Sequence, residues 1–298
     1  MENTIPAQTY SLLERLLHST MRLDVHLPTG KNSSGTAFFL ELNHPTIDDS
    51  TATVLVTCKH VIDYPGWLKL WFKVTTEDGR LIGNDPYGWK IESQRDRWLS
   101  HPDSSIDLAI LPLDSDVNFV QMHELVGYTP FYVTFLESQI PTKSQWSTFN
   151  SVLRIALIGY PKTFMDASNN LPITYHGYTS SLPYADYKQT PSFLMDLPSF
   201  PSSSGGPVVE GTIYADLESS TGGMDDLPML YGIQNEVPTY YLSSSDIIST
   251  NDSGESLKIR QYIDQSRAIK SYQLLQFKQC LWPSETESQG CLSVGDGK

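Results

Sequence analysis

A chain of 298 residues with 39% hydrophobic residues can fill a sizeable core, and its 19 Gly and 19 Pro suit many short strands joined by turns. The formal net charge of −14 repels phosphate backbones and no Lys/Arg-rich run offsets it, which argues against a nucleic-acid partner. The opening MENTIPAQTY lacks the features of a secretory leader, and no segment has the ~20 apolar residues of a membrane span, so a cytoplasmic protein with no membrane partner is expected.

The three cysteines, Cys58, Cys280 and Cys291, make no disulfide framework, and none is spaced with histidine as a zinc site. A reducing compartment fits them, with a Cys280–Cys291 pair left open for an oxidising one. No metal and no cofactor are expected.

In chain order, residues 1–20 hold a short amphipathic helix, with Leu12, Leu13, Leu16 and Leu17 on one side. Short apolar runs follow over 21–135: MRLDVHL, GTAFFLEL, TATVLVT, WLKLWFKV and DLAILPL. After the polar TKSQWSTFNS, a second series fills 136–257: SVLRIALIGYP, ITYHGYTSS, SFLMDLPS, GPVVEGTIY, MLYGIQNEV and TYYLSS. Between Glu210 and Met229 the chain is acidic and polar, and reads as a protruding loop. Residues 258–280 return to helical spacing through Ile259, Tyr262, Ile263, Ala268 and Ile269, and 281–298 form a tail. The predicted fold is all-β, two antiparallel six-stranded barrels with short N- and C-terminal helices.

One set of residues fits nucleophilic acyl transfer, which needs a nucleophile, a base, a carboxylate that orients the base, and donors for the oxyanion. His60 follows an apolar strand in LVTCKHVID, Asp107 opens another in SSIDLAILPL, and Ser204 lies in the glycine turn PSSSGGPVV. Asp103 is a fallback carboxylate, and Cys58 reads as a small buried apolar residue.

TCKHV, DLAIL and SGGPVV, in the order His, Asp, Ser, resemble the chymotrypsin-fold, trypsin-like serine peptidases, as do GTAFFL, ALIGYP and YGI around them. The resemblance covers residues 21–275 and is nearest to the disulfide-free bacterial group that includes the HtrA proteases, here without room for a PDZ domain. It implies a serine endopeptidase acting on protein or peptide substrates, with His60 as general base, Asp107 as its orienting carboxylate and Ser204 as nucleophile.

By the same resemblance the backbone N–H groups of Ser202 and Ser204 form the oxyanion hole. Ser202 stands where that family nearly always has glycine, so one expectation is a collapsed hole, latent until a substrate or activating protein partner orders it. The walls of the substrate pocket fall on Asp196 and Pro198 before the nucleophile, and on Ile233, Gln234 and Asn235. His176 reads as an ordinary residue of the second barrel, with substrate recognition as the alternative. The competing function is a catalytically weak module that binds extended peptides or partner proteins. An α/β-hydrolase reading fails, since position 202 breaks GxSxG and the histidine comes first.

Overall fold

Alternation builds the first half. Strand β1 (Thr20–His26) buries Met21, Leu23 and Val25 and turns Arg22, Asp24 and His26 outward. It pairs antiparallel with β2 (Asn32–Asn43) on one side and β4 (Trp67–Thr75) on the other. On the outward face Arg22 donates twice to Asp24, at 2.9 and 2.7 Å, and the Trp71 indole N–H donates to the same carboxylate at 2.7 Å. This structure is a computed structural model that describes residues 12–30, 32–64, 66–75, 87–91, 97–113, 129–166, 168–211, 228–237, 239–241, 260–262, 265–283 and 293–294.

Around that pair, β3 (Thr51–Thr57), β5 (Tyr87–Ile91), β6 (Leu99–Ser100) and β7 (Ala109–Pro112) give the order β5-β4-β1-β2-β3-β7-β6. β8 (Thr129–Phe131) adds to β4, and β9 (Phe135–Leu136) runs parallel to β2, which makes nine strands where six were expected. The four strands outside the five apolar runs read from the sequence are two to five residues long, too short to show an alternation. The expected boundary after residue 135 falls inside β9.

The second half is a closed six-stranded barrel of β10 (Arg154–Gly159), β11 (Ile173–Thr179), β12 (Ser192–Asp196), β13 (Pro207–Glu210), β14 (Leu230–Glu236) and β17 (Gln265–Lys270), in the order β10-β11-β12-β17-β14-β13. β15 (Thr239–Tyr241) and β16 (Arg260–Tyr262) form a separate ribbon. Trp146, on a one-turn helix capped by Thr142, packs its ring 5.6 Å from Phe193 of the barrel core. Together the sheet and the barrel make the double-barrel architecture of the chymotrypsin-like fold.

Residues 258–280 are not the expected helix. Ala268 pairs with Phe193 on β12 and Gln234 on β14, so the segment is the strand that closes the barrel and carries its core past residue 257. A short apolar run buried on both sides has no period that separates strand from helix. What remains helical is a 3-10 stretch, Ser271–Phe277, and a single turn, Lys278–Leu281. At the other end α1 (Leu12–His18) forms within the predicted N-terminal helix and buries Leu16.

Two residues of the expected tail meet the first sheet. Ser293 bridges to Leu99, the Val294 N–H donates to the Trp98 carbonyl at 2.9 Å, and Val294 is buried. Cys280 is disulfide-bonded and Cys58 is free, which corrects the disulfide-free expectation; Cys291 and most of the acidic 210–228 loop lie outside the described residues. A disulfide is uncommon in a reducing compartment. Among the described residues no helix is long and apolar enough to cross a membrane.

Candidate active site

The last rungs of the β3–β7 ladder bring His60 and Asp107 to one edge. Thr57 pairs with Ala109, so the chain leaves β3 beside the point where it enters β7, and the Asp107 carbonyl accepts from Lys59 N–H at 3.4 Å. Past Cys58, the single turn α2 (Lys59–Ile62) buries Val61 and Ile62 and leaves His60 on its open side. Asp107 is flanked by the buried Ile106 and Leu108, which anchor it from both sides. Its Oδ1 accepts the His60 backbone N–H at 2.9 Å, and its Oδ2 lies 2.6 Å from the ring Nδ1. A proton on Nδ1 leaves the lone pair on Nε2, the form a general base needs.

Asp103, the fallback, is engaged elsewhere. Hydrogen bonds from the Ser105 hydroxyl, at 2.7 Å, and the Ser105 N–H, at 2.9 Å, hold its carboxyl below the usual range.

Ser204 sits within two consecutive turns. The Ser203 N–H donates to Phe200 O at 3.1 Å, closing a turn with Pro201 second and Ser202 third at φ +80°. The Gly206 N–H then donates to Ser203 O at 2.9 Å, closing a second turn with Ser204 second and Gly205 third at φ +88°. Positive φ at the third residue marks both as type II, and proline suits the second position of the first. Gly205 has no substitute, since a Cβ there would lie 2.1 Å from the Thr36 carbonyl oxygen and 2.4 Å from the Thr57 hydroxyl.

Backbone bonds hold this turn against the segment before His60. Ser204 O accepts from Thr36 N–H at 2.9 Å, and Gly205 N–H donates to Gln234 O at 2.8 Å. That same carbonyl accepts the Cys58 thiol at 3.3 Å, so one acceptor joins the neighbour of Ser204 to a residue two before His60. Thus His60 and Asp107 are in direct contact, and Ser204 is brought alongside through its backbone. No hydrogen bond links the Ser204 hydroxyl to His60, a looseness common in sites without substrate.

The peptide between Pro201 and Ser202 has a defined facing. Lys162 N–H donates to Pro201 O at 3.4 Å, and in a trans peptide the N–H of Ser202 points the opposite way. Neither the Ser202 nor the Ser204 N–H donates to an acceptor among the described residues. The positive φ of Ser202 is held by a 2.7 Å contact of its hydroxyl with that of Ser34, and by its carbonyl accepting from the Thr36 hydroxyl at 2.9 Å.

Thr36 is the residue that sequence reasoning missed. Fully buried in β2, it also takes the Tyr160 N–H on its hydroxyl at 2.9 Å and receives the Thr57 hydroxyl on its carbonyl at 2.7 Å. A lone threonine inside the apolar run of GTAFFL was the available signal.

The expected pocket residues differ in burial. Asp196 and Pro198 are exposed, Asp196 as the last residue of β12, while Ile233 is core, paired with Pro207 and Ile269. Gln234 and Asn235 are buried, and among the described residues both amide atoms of Gln234 and Oδ1 of Asn235 have no hydrogen-bond partner. His176 is exposed on β11, its pKa lowered by partial burial and then by Arg154.

Cys58 is completely buried, as expected, and burial followed by the Asp107 charge raises its thiol pKa well above the ordinary value. Its sulfur lies within 4.8 Å of donor atoms of His60 and Asp107, a grouping that a metal would bind only through a thiolate. The raised pKa opposes that thiolate, so the donor set does not fit a metal centre.

The three candidate residues lie where the nine-stranded sheet and the closed barrel of this double-barrel fold meet. No protein-family model matches the chain, and no curated protein matches it either. Among solved structures it is similar to the Rv3671c protease from M. tuberculosis in its active form, at 10% identity and TM-score 0.43, over 89% of this chain and 82% of that one. It is also similar to an HtrA-type protease solved with a tripeptide, at 16% identity and TM-score 0.43, over 91% of this chain and 62% of that one. The reading of function therefore rests on the site geometry.

Proposed function

We propose that this chain is a serine endopeptidase that hydrolyses protein or peptide substrates through an acyl-enzyme. The observation that carries the reading is the double hold of Asp107 on His60, with the Ser204 turn fastened beside it. Ser204 Oγ attacks the scissile carbonyl while His60 Nε2 takes its proton, and Asp107 stabilises the imidazolium that forms. His60 then protonates the leaving amine, and water repeats the sequence to release the acid.

The oxyanion is assigned to the N–H groups of Ser202 and Ser204. With the Pro201 carbonyl engaged by Lys162 and the turn already type II, the geometry supports a hole formed before any partner binds rather than a latent one. The peptide-binding alternative draws its support from the missing Ser204–His60 hydrogen bond. A fluorophosphonate probe separates the two. Wild-type labelling that disappears in Ser204→Ala supports the peptidase, and peptide binding without labelling overturns it.

A further inference from the structure

The first of the two turns, which bears Ser202, begins with an aromatic residue whose ring is not in the core. Phe200 is half-buried, and its ring meets that of Phe164 edge-on at 4.8 Å and 66°, and that of Tyr175 at 5.9 Å and 41°. Phe164 is 53% exposed, a large apolar surface left in water. Isolated exposed apolar residues are ordinary, but this one belongs to a cluster continuous with the candidate site.

The cluster is mechanically attached to that site. Phe164 and Met165 N–H both donate to Pro161 O, at 3.0 and 2.8 Å, forming a tight turn. Within the same turn the Lys162 N–H holds the Pro201 carbonyl, so the loop bearing Phe164 abuts the chain just before Ser202. Just after Ser204 in the chain, Gly205 and Gly206 are bonded to Gln234 of β14. The chain bearing Ser204 is thus bonded after the serine to β14 and before it, through Pro201, to the loop that carries Phe164. Beneath the two phenylalanines the Tyr175 hydroxyl is buried, with no hydrogen-bond partner among the described residues.

We propose that Phe164 and Phe200 form a recognition platform for an apolar, preferentially aromatic, side chain of the substrate peptide, next to the scissile bond. The inference rests on the serine-peptidase reading and names the class of substrate for that site. An aromatic side chain laid on this pair buries the open face of Phe164 and adds a ring contact in offset or edge geometry. Glycine or a charged residue at the same subsite leaves that face wet.

The test compares kcat/KM for matched peptides that carry Phe or Gly at each position flanking the cleaved bond. The wild type is expected to prefer Phe about ten- to hundredfold at one such position. In Phe164→Ala that ratio falls towards one. Phe164→Trp retains it, as does Tyr178→Ala, which removes an equally exposed aromatic outside the cluster. A wild type that cleaves but shows no aromatic preference, or a preference that survives Phe164→Ala, overturns the platform alone. A wild type that neither cleaves nor takes a fluorophosphonate overturns the peptidase reading beneath it.

Discussion

Asp107 grips His60 at two points, one carboxylate oxygen on the backbone N–H at 2.9 Å and the other on the ring Nδ1 at 2.6 Å. The backbone bond fixes the position of the residue, and the ring bond fixes its tautomer. Asp107→Asn preserves the shape of the side chain but can present an N–H to Nδ1, which drives the ring proton to Nε2. Turnover is expected to fall by about four orders of magnitude. Unfolding in urea should change by only about 1 kcal/mol, because one neutral oxygen still accepts the backbone N–H. Near-normal turnover in this variant would rule out Asp107 as the orienting carboxylate.

What the sequence made legible here is telling. His60, Asp107 and Ser204 each sit at the end of an apolar run, where chain direction and exposure can be inferred from local pattern. Thr36 could not be assigned its role in the same way, because its bonds reach Ser202, Ser204, Thr57 and Tyr160, contacts visible only after the sheet and barrel are assembled. Strand β17 was misread for a related reason. Ala268 and Ile269 are buried with partners on both sides, and their spacing suits a helix as well as a strand. Within the segment expected as a tail, Val294 is buried and its N–H donates to the Trp98 carbonyl, a contact that its local sequence does not announce.

Ser202 and Gly205 occupy the same position in successive turns, at φ +80° and +88°, yet they should respond differently to substitution. Gly205→Ala puts a methyl group into the Thr36 carbonyl, which cannot retreat without breaking its bond from Thr57. A loss of about 3 kcal/mol or more is expected. Ser202→Gly relieves a left-handed serine, worth about 1 kcal/mol, and gives up the Ser34 hydroxyl contact, worth about the same. Its stability should stay within about 1 kcal/mol of the wild type. Urea titrations of both variants check the contrast, and equal losses would contradict the assigned turn geometry.

Cys58 should be chemically silent. Burial and the neighbouring carboxylate keep its proton on sulfur, and the thiol points to a backbone carbonyl rather than to His60. At pH 7 the native protein should resist iodoacetamide at this residue. Cys58→Ala should keep turnover within about tenfold while losing ~1 to 2 kcal/mol of stability from the missing sulfur contacts. Rapid alkylation of Cys58 that abolishes activity would instead point to a cysteine nucleophile.

The acid limb of stability should carry a signature from His18. Burial first, and the Lys73 charge second, lower its pKa to about 3, and its Nδ1 accepts from Lys73 Nζ at 3.0 Å. In the unfolded chain the imidazole takes up a proton near pH 6.5, so between about 6.5 and 3 the unfolded state binds more protons than the folded one. The stabilising contribution is therefore full above 6.5 and is lost as pH falls through that window, by up to ~1.4 kcal/mol per unit. Lys73 is lowered to about 8 by burial, with Asp166 opposing, so its own linkage lies between about 8 and its unfolded value of 10.5, where stability rises with pH. Lys73 remains charged throughout the acid window and does not blur the histidine signal. In urea titrations from pH 7.5 to 4, His18→Gln should lose less stability than the wild type below pH 6.5, with the two curves parallel above it. Curves that stay parallel down to pH 4 would mean that His18 titrates in the folded protein as it does in the unfolded chain.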